Sequence, residues 1–251
     1  MSVRVLVTND DGIDSPGIRR LAWAAADSGC DVVVAAPDID YSGTGAALTT
    51  VEEDGRVVAQ FRDLDGLAAY GVAGSPAWIT LIALHGAFGE RPDVVLSGVN
   101  RGANAGLAVL HSGTVGAALT AVAGGVPAMA VSLEVPDAAD GTRHWATAAR
   151  VALDLLPVLT GAADATVLNV NVPDLPYTRL LGVRRARLAR FGQVQMTIAE
   201  SGAGFIRTSI EASGEEPEPG TDVAWLAGGY ASVTPIRAIG EASDVELPGV
   251  D

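Results

Sequence analysis

The chain has 251 residues, 49% of them hydrophobic, with 16 basic against 30 acidic side chains and a net charge of −14. That is enough apolar material for one large core, either a single α/β domain or a core with an excursion, and the acidic balance argues against a nucleic-acid polymer as partner. No apolar run reaches transmembrane length uninterrupted, and the start enters a strand without a signal-peptide pattern, so a cytoplasmic protein without membrane contact is expected. Cys30 is the single cysteine and is expected to pack at the start of a strand rather than to react.

Val3 to Val7 is a short β-branched run that predicts a buried parallel strand, and it ends in Thr8-Asn9-Asp10-Asp11-Gly12. Ligands of open parallel sheets bind beyond the carboxyl ends of the strands, so two adjacent aspartates there are placed for chemistry. Neighbouring like charges raise one pKa unless a cation holds both ionised, and a hard divalent metal is the economical explanation. The plain alternative is a turn cap and a solvated neighbour. Ser15-Pro16 then predicts a helix start, with Ile18, Leu21, Ala22 and Ala25 on one face and Gly29 at the end.

Asp31 to Ala36 reads as a second buried strand, leading into the polar loop Asp38 to Gly45. Asp54-Gly55 marks a hairpin within Leu48 to Phe61, Ala69 to Val72 is a short strand, and Ser75-Pro76 opens another helix. Pro92 to Ser97 is a third parallel-type strand whose exit alternates glycine and asparagine, from Gly98 to Gly106. His111-Ser112-Gly113-Thr114 precedes the small-residue helix Ala117 to Ala123, and such a turn offers free N–H groups and a positive dipole end to phosphate. Ala128 to Leu133 is a strand, Trp145 to Leu159 an amphipathic helix, and Thr166 to Val172 a strand closed by Pro173.

Beyond Pro173 the alternation of strand and helix stops. Leu181 to Arg190 and Gly204 to Ala212 read as strands of an extended hairpin, with Arg184, Arg185, Arg187 and Arg190 on a solvated side. Gly214 to Gly220 is an acidic loop, Thr221 caps a short helix through Leu226, and Tyr230 to Ile236 is the last strand, before an end near Glu246 to Gly249 expected to be poorly ordered.

In this order the motifs resemble the SurE survival-protein family of metal-dependent 5'/3'-nucleotidases. The resemblance runs from Val3 to about Ile236. It is carried by Thr8 to Gly12, Ala36-Pro37 with Ser42-Gly43, Ser97 to Asn104, Ser112 to Val115, Asn169 to Pro173, and Gly220 to Asp222 with Gly229-Tyr230. It implies an α/β fold, a Rossmann-like three-layer core with a mostly parallel sheet and a projecting β-hairpin arm. Within a single domain spanning 1–251 the core is placed at 1–173, the arm at 181–212 and the return to the core at 221–236. The resemblance further implies one divalent cation per subunit, magnesium or manganese, held by Asp10, Asp11, Ser42 and Asn100, with Asp10, Asp11 and Asn100 carrying the catalysis. Gly43, Asn104, Ser112, Gly113 and Thr114 would lie at the phosphate of a small phosphorylated substrate, and the arm would build a homodimer or homotetramer. The activity implied is hydrolysis of nucleoside monophosphates or a related small phosphomonoester, a phosphoric monoester hydrolase of the 5'-nucleotidase or acid-phosphatase type. An all-oxygen donor set independently selects magnesium, manganese or calcium over zinc, and a bound metal polarises the phosphoryl group and activates an attacking water.

The chain departs from the family pattern at Tyr41, where a basic residue is usual, at Trp78 in place of an acidic one, and at His111 in place of tyrosine. These changes predict a more aromatic pocket rim and altered recognition of the leaving group. Asn9 excludes an aspartyl-phosphate route, since an amide cannot be the nucleophile. Ser112 next to His111 lacks the elbow motif of serine hydrolases, and Asp-Asp-Gly stands where a dinucleotide fingerprint would need glycines. The remaining alternative is the same fold retained as a non-catalytic binding or assembly protein. His85 and His144 are expected at a helix surface or a helix start.

Overall fold

The computed structural model describes residues 2–135, 142–161, 166–190, 194–202, 205–212 and 216–241. Part of the acidic loop 214–220 and the chain end at 246–249 lie outside the described residues. A run of parallel strands forms the centre of a nine-stranded sheet: Leu67–Val72 (β6), Asp31–Pro37 (β2), Arg4–Thr8 (β1), Val94–Arg101 (β7), Ala128–Glu134 (β8) and Thr166–Pro173 (β9), in that spatial order. Ala59–Leu64 (β5) closes one edge antiparallel to β6. At the other edge Ala231–Arg237 (β13) runs antiparallel to β9, and Val183–Arg185 (β10) lies parallel to β13.

The strands are apolar on both faces because helices cover both. Pro16–Asp27 (α1) and Trp145–Thr160 (α4) lie on one side, where Ile18, Leu21, Val151 and Leu159 pack with Val5, Val7 and Val170. Pro76–Leu84 (α2) and Gly113–Ala123 (α3) lie on the other, where Ile79, Val115 and Ala118 pack with Leu6, Val95 and Ala130. This is the expected three-layer α/β arrangement. A short helix, Asp222–Ala227 (α5), begins as predicted at Thr221, whose hydroxyl accepts from Ala224 N. Cys30 packs at the edge of the core beside β2, as expected.

Three findings depart from the sequence reading. Leu181 to Arg190 is not an arm strand: only Val183–Arg185 is extended, and it pairs with β13 in the main sheet. Alternating apolar and basic residues signal a strand without saying which strand it will meet. The two-stranded arm is instead Val194–Gly202 (β11) against Phe205–Ala212 (β12), antiparallel, with a register shift between Ile198 and Glu200. The Asp54-Gly55 turn joins only the two-residue strands Glu52–Glu53 (β3) and Arg56–Val57 (β4). A second turn of the same kind, Asp65-Gly66 with φ of 53° and 94°, joins β5 to β6. β5 is exposed over most of its length and so lacks the buried pattern that marks a strand in sequence.

The third departure concerns β7, which continues through Gly98, Val99 and Asn100 to Arg101 rather than ending at Ser97. Its register with β8 shifts between Ser97 and Asn100. The strand therefore carries Asn100 and Arg101 beyond Thr8, which pairs with Ser97, and alongside the loop that follows β1.

Candidate active site

The carboxyl ends of β1, β2 and β7 are neighbours in the sheet, so the three polar loops meet at one edge. Tyr41 N donates to Asp10 O at 2.9 Å, tying the second loop to the first, and Gly45 N donates to His111 O at 3.1 Å, tying the second loop to the approach to α3. Close approach requires glycine on the α3 side of this seam. A Cβ on Gly116 would stand 2.2 Å from Gly45 O, and a Cβ on Gly113 would stand 2.8 Å from Asp10 Oδ2.

Asp10 is 3% exposed and lies against the start of α3, where the Thr114 hydroxyl and main chain both bond to its carboxylate. Burial raises its pKa, with the charge of Asp40 acting in the same direction, while the Thr114 bonds oppose the rise. Asp11 takes a 3.0 Å hydrogen bond from Arg101 N. Burial first, then the charge of Asp10, pushes its pKa up to about 6. Two adjacent carboxylates thus resist joint ionisation, and Asp40 adds to the negative field.

Asn100 donates one Nδ2 hydrogen to Gly102 O at 2.8 Å, which orients the amide and leaves its oxygen as an acceptor. Ser42 and Gly43 are exposed on the second loop, where Ser42 N donates to Asp40 Oδ1 at 2.7 Å. Among the described residues no group of three or more His, Cys, Asp or Glu side chains converges as a metal centre. A cation here would rely on the two carboxylates and on neutral oxygens such as those of Asn100 and Ser42. That donor set fits a hard divalent ion and not zinc.

The phosphate-side residues are arranged differently from expectation. Ser112 caps α3, its Oγ accepting from Val115 N at 3.1 Å, and Thr114 holds Asp10, so the anion nearest this helix start is the protein's own carboxylate. Gly113 is the first-turn amide not engaged by these contacts. Asn104 bonds neither aspartate; β8 and β9 hold it instead, through Ser132, Asn169 and Asn171. Sequence reading assigned those three residues no role, yet polar side chains at every second position of the otherwise apolar β9 were the available signal.

Asp11 also lines a cleft of about 530 Å³ with Asp14, Asp40, Arg101, Arg143 and Trp145. The aromatic residue at this cleft is Trp145 and not Trp78, which is partly buried and packs against the core beside Gly74. Tyr41 borders a separate cleft of about 330 Å³ that shares Asp38 and Ile39 with the first. Trp78 lines neither of these two clefts. His111 ends a 3-10 turn at Gly106–His111. His144 stands at the start of α4, as foreseen, with Nδ1 2.8 Å from Asp174, and His85 is exposed at the carboxyl end of α2.

The family model described as "Survival protein SurE" matches residues 5–195. The 5'-nucleotidase SurE of Actinobacillus pleuropneumoniae serotype 5b (strain L20) is 39% identical over 244 residues, covering 94% of each chain. That of Stenotrophomonas maltophilia (strain K279a) is 38% identical over 241 residues, covering 94% of this chain and 90% of that one. The crystal structure of SurE protein from Aquifex aeolicus superposes with a TM-score of 0.76 at 31% identity, covering 96% of each chain.

Proposed function

The chain belongs to the SurE family, and from that premise we propose that it is a cation-dependent phosphoric monoester hydrolase acting on nucleoside monophosphates or related small phosphomonoesters. The observation that carries the reading is the Asp10–Asp11 pair: Asp10 is buried against the start of α3, Asp11 is half-buried beside it, and both pKa values are raised, with the charge of Arg101 offsetting only part of the rise at Asp11. Such a pair is costly to keep ionised unless a divalent ion compensates it. Magnesium or manganese, one per subunit, is the proposed ion, held by Asp10, Asp11, Ser42 and Asn100. When bound it supplies Lewis-acid polarisation of the phosphoryl group and lowers the pKa of the attacking water.

The chain's own residues do the positioning. Thr114 and Gly113 fix Asp10 from the helix side, and Arg101 N fixes Asp11 from β7, so the two carboxylates cannot rotate independently. Gly43, Asn104, Ser112 and Gly113 offer amide and hydroxyl donors for the phosphate, and Thr114 contributes through Asp10. The cleft beside Asp11, with Arg101 and Trp145, is the proposed seat of the leaving group.

The proposed setting is cytoplasmic; among the described residues no helix is long and apolar enough to cross a membrane. The proposed assembly is a homodimer or homotetramer through the arm. What supports it is that β11 and β12 pair only with each other among the described strands, and an isolated two-stranded hairpin is marginal in water. Phosphate release from a panel of nucleoside and aryl phosphates, with and without manganese, tests the activity. Manganese-dependent release is expected, and no release from any ester would favour a binding or assembly role instead.

A further inference from the structure

Asn104 sits in the irregular segment between β7 and the 3-10 turn at Gly106–His111, where a main chain has no strand or helix to satisfy it. Both its main-chain groups are nevertheless bonded, and by side chains from the far side of β8. Asn104 N donates to Asn171 Oδ1 at 2.7 Å. Asn104 O accepts from Asn169 Nδ2 at 2.8 Å and from Asn171 Nδ2 at 3.0 Å. The Asn104 side chain is held as well, Nδ2 donating to Ser132 Oγ at 2.9 Å. An amide nitrogen carries two hydrogens, so one donor of the partly exposed Asn104 side chain remains.

Asn169 and Asn171 are both 0% exposed. Alternation puts them on the α2/α3 side of β9, while Leu168, Val170 and Val172 enter the core beneath α1 and α4. Stability alone does not call for this arrangement. Buried amides are costly unless fully bonded, and Asn169 Oδ1 has no hydrogen-bond partner among the described residues. An apolar residue at 169 would remove that orphaned oxygen and leave Asn104 O still bonded to Asn171.

We propose that Asn171, seconded by Asn169, is a positioning residue for phosphate binding: the two amides clamp the main chain of Asn104 so that its remaining side-chain donor is set in place before substrate arrives. The clamp rests on the reading above that Asn104 borders the substrate phosphate. Preorganised donors bind an anion without the cost of ordering a loop at the moment of binding. Asn171 makes two of the three bonds to the Asn104 main chain, so its loss has the larger effect.

The test compares wild type, Asn104→Ala, Asn169→Leu and Asn171→Leu. It measures the dissociation constant for inorganic phosphate in the presence of manganese, the dissociation constant for manganese alone, and the melting temperature. Asn169→Leu is expected to melt at or above the wild-type temperature while binding phosphate three- to tenfold more weakly. Asn171→Leu is expected to lose more than tenfold. Manganese affinity should stay within twofold in both. A merely structural role would lower the melting temperature of Asn169→Leu and leave its phosphate affinity alone, which overturns the proposal. Equal losses of manganese and phosphate affinity overturn it too. If Asn171→Leu does not fold, Asn169→Leu decides alone. Wild-type phosphate affinity in Asn104→Ala refutes the placement of Asn104 itself; weakened binding there with unchanged binding in the clamp variants refutes only the clamp.

Discussion

The Thr114 hydroxyl donates to Asp10 Oδ1 across 104 residues of chain, and both residues are buried. That bond joins the start of α3 to the end of β1 and opposes the rise that burial imposes on the Asp10 pKa. Thr114→Val keeps the shape and removes the donor, so the Asp10 pKa should rise further and proton competition with the cation should increase. We expect apparent manganese affinity at pH 7 to fall, with partial recovery at pH 8.5. Manganese titrations of activity at the two pH values check this; an unchanged affinity at pH 7 would contradict it.

A second prediction follows from Asp11. Its pKa is about 6 in the folded protein against an ordinary 3.8, so between those values the folded state holds its proton more tightly than the unfolded chain. The associated stability is present below about pH 4 and is lost as pH rises through about 6. Cation-free Asp11→Asn should therefore melt above cation-free wild type at pH 7.5, with the advantage shrinking towards pH 4. Manganese should reverse the order at pH 7.5, since only the carboxylate gains from the ion. Denaturant or thermal melts at the two pH values, with and without manganese, report both effects.

Most of the fold was legible because the strands under the two helical layers are continuous apolar runs, and Ser15-Pro16, Ser75-Pro76 and Thr221 mark helix starts. The use made of those markers was not legible. Ser15 Oγ accepts from Asn9 Nδ2 at 2.7 Å and makes no cap, and Ser75 holds Ala47 O and Thr49 N across the neighbouring loop. Asp10 and Asp11 stood out as a pair, yet nothing in their spacing revealed that Thr114 would bind one and Arg101 N the other. Such partners depend on which loops the sheet order brings together, and one sequence carries no direct signal of that order. The same limit explains Leu181 to Arg190, whose strand character was visible while its pairing with β13 was not.

Substrate choice should be broad. The cleft proposed for the leaving group is lined by Arg101 and Trp145, and Trp78 is not part of it. We expect less than a hundredfold preference in kcat/KM for any common nucleoside monophosphate over simple aryl phosphates, roughly 2.7 kcal/mol of transition-state discrimination. Arg101→Ala should raise KM for nucleoside monophosphates by about tenfold and change KM for a small aryl phosphate by less than threefold, since the latter does not fill the cleft. Equal changes for both substrates would place Arg101 at the phosphate instead.

The arm should govern assembly. Replacing 194–212 with a short Gly-Ser linker should leave the nine-stranded core folded and the protein monomeric where the proposed assembly has two or four subunits, because β11 and β12 meet no other described strand within the chain. Light scattering at micromolar concentration measures the outcome; an oligomer of unchanged size would place the interface elsewhere.

The most direct measurement of the central claim is manganese-dependent hydrolysis of a nucleoside 5'-monophosphate by wild type and Asp11→Asn side by side, with manganese binding followed calorimetrically on the same samples. The account predicts one ion per wild-type subunit, activity that rises with its occupancy, and loss of both binding and turnover in a variant that remains folded. Full turnover by chelator-treated wild type, or wild-type turnover by Asp11→Asn, would contradict it.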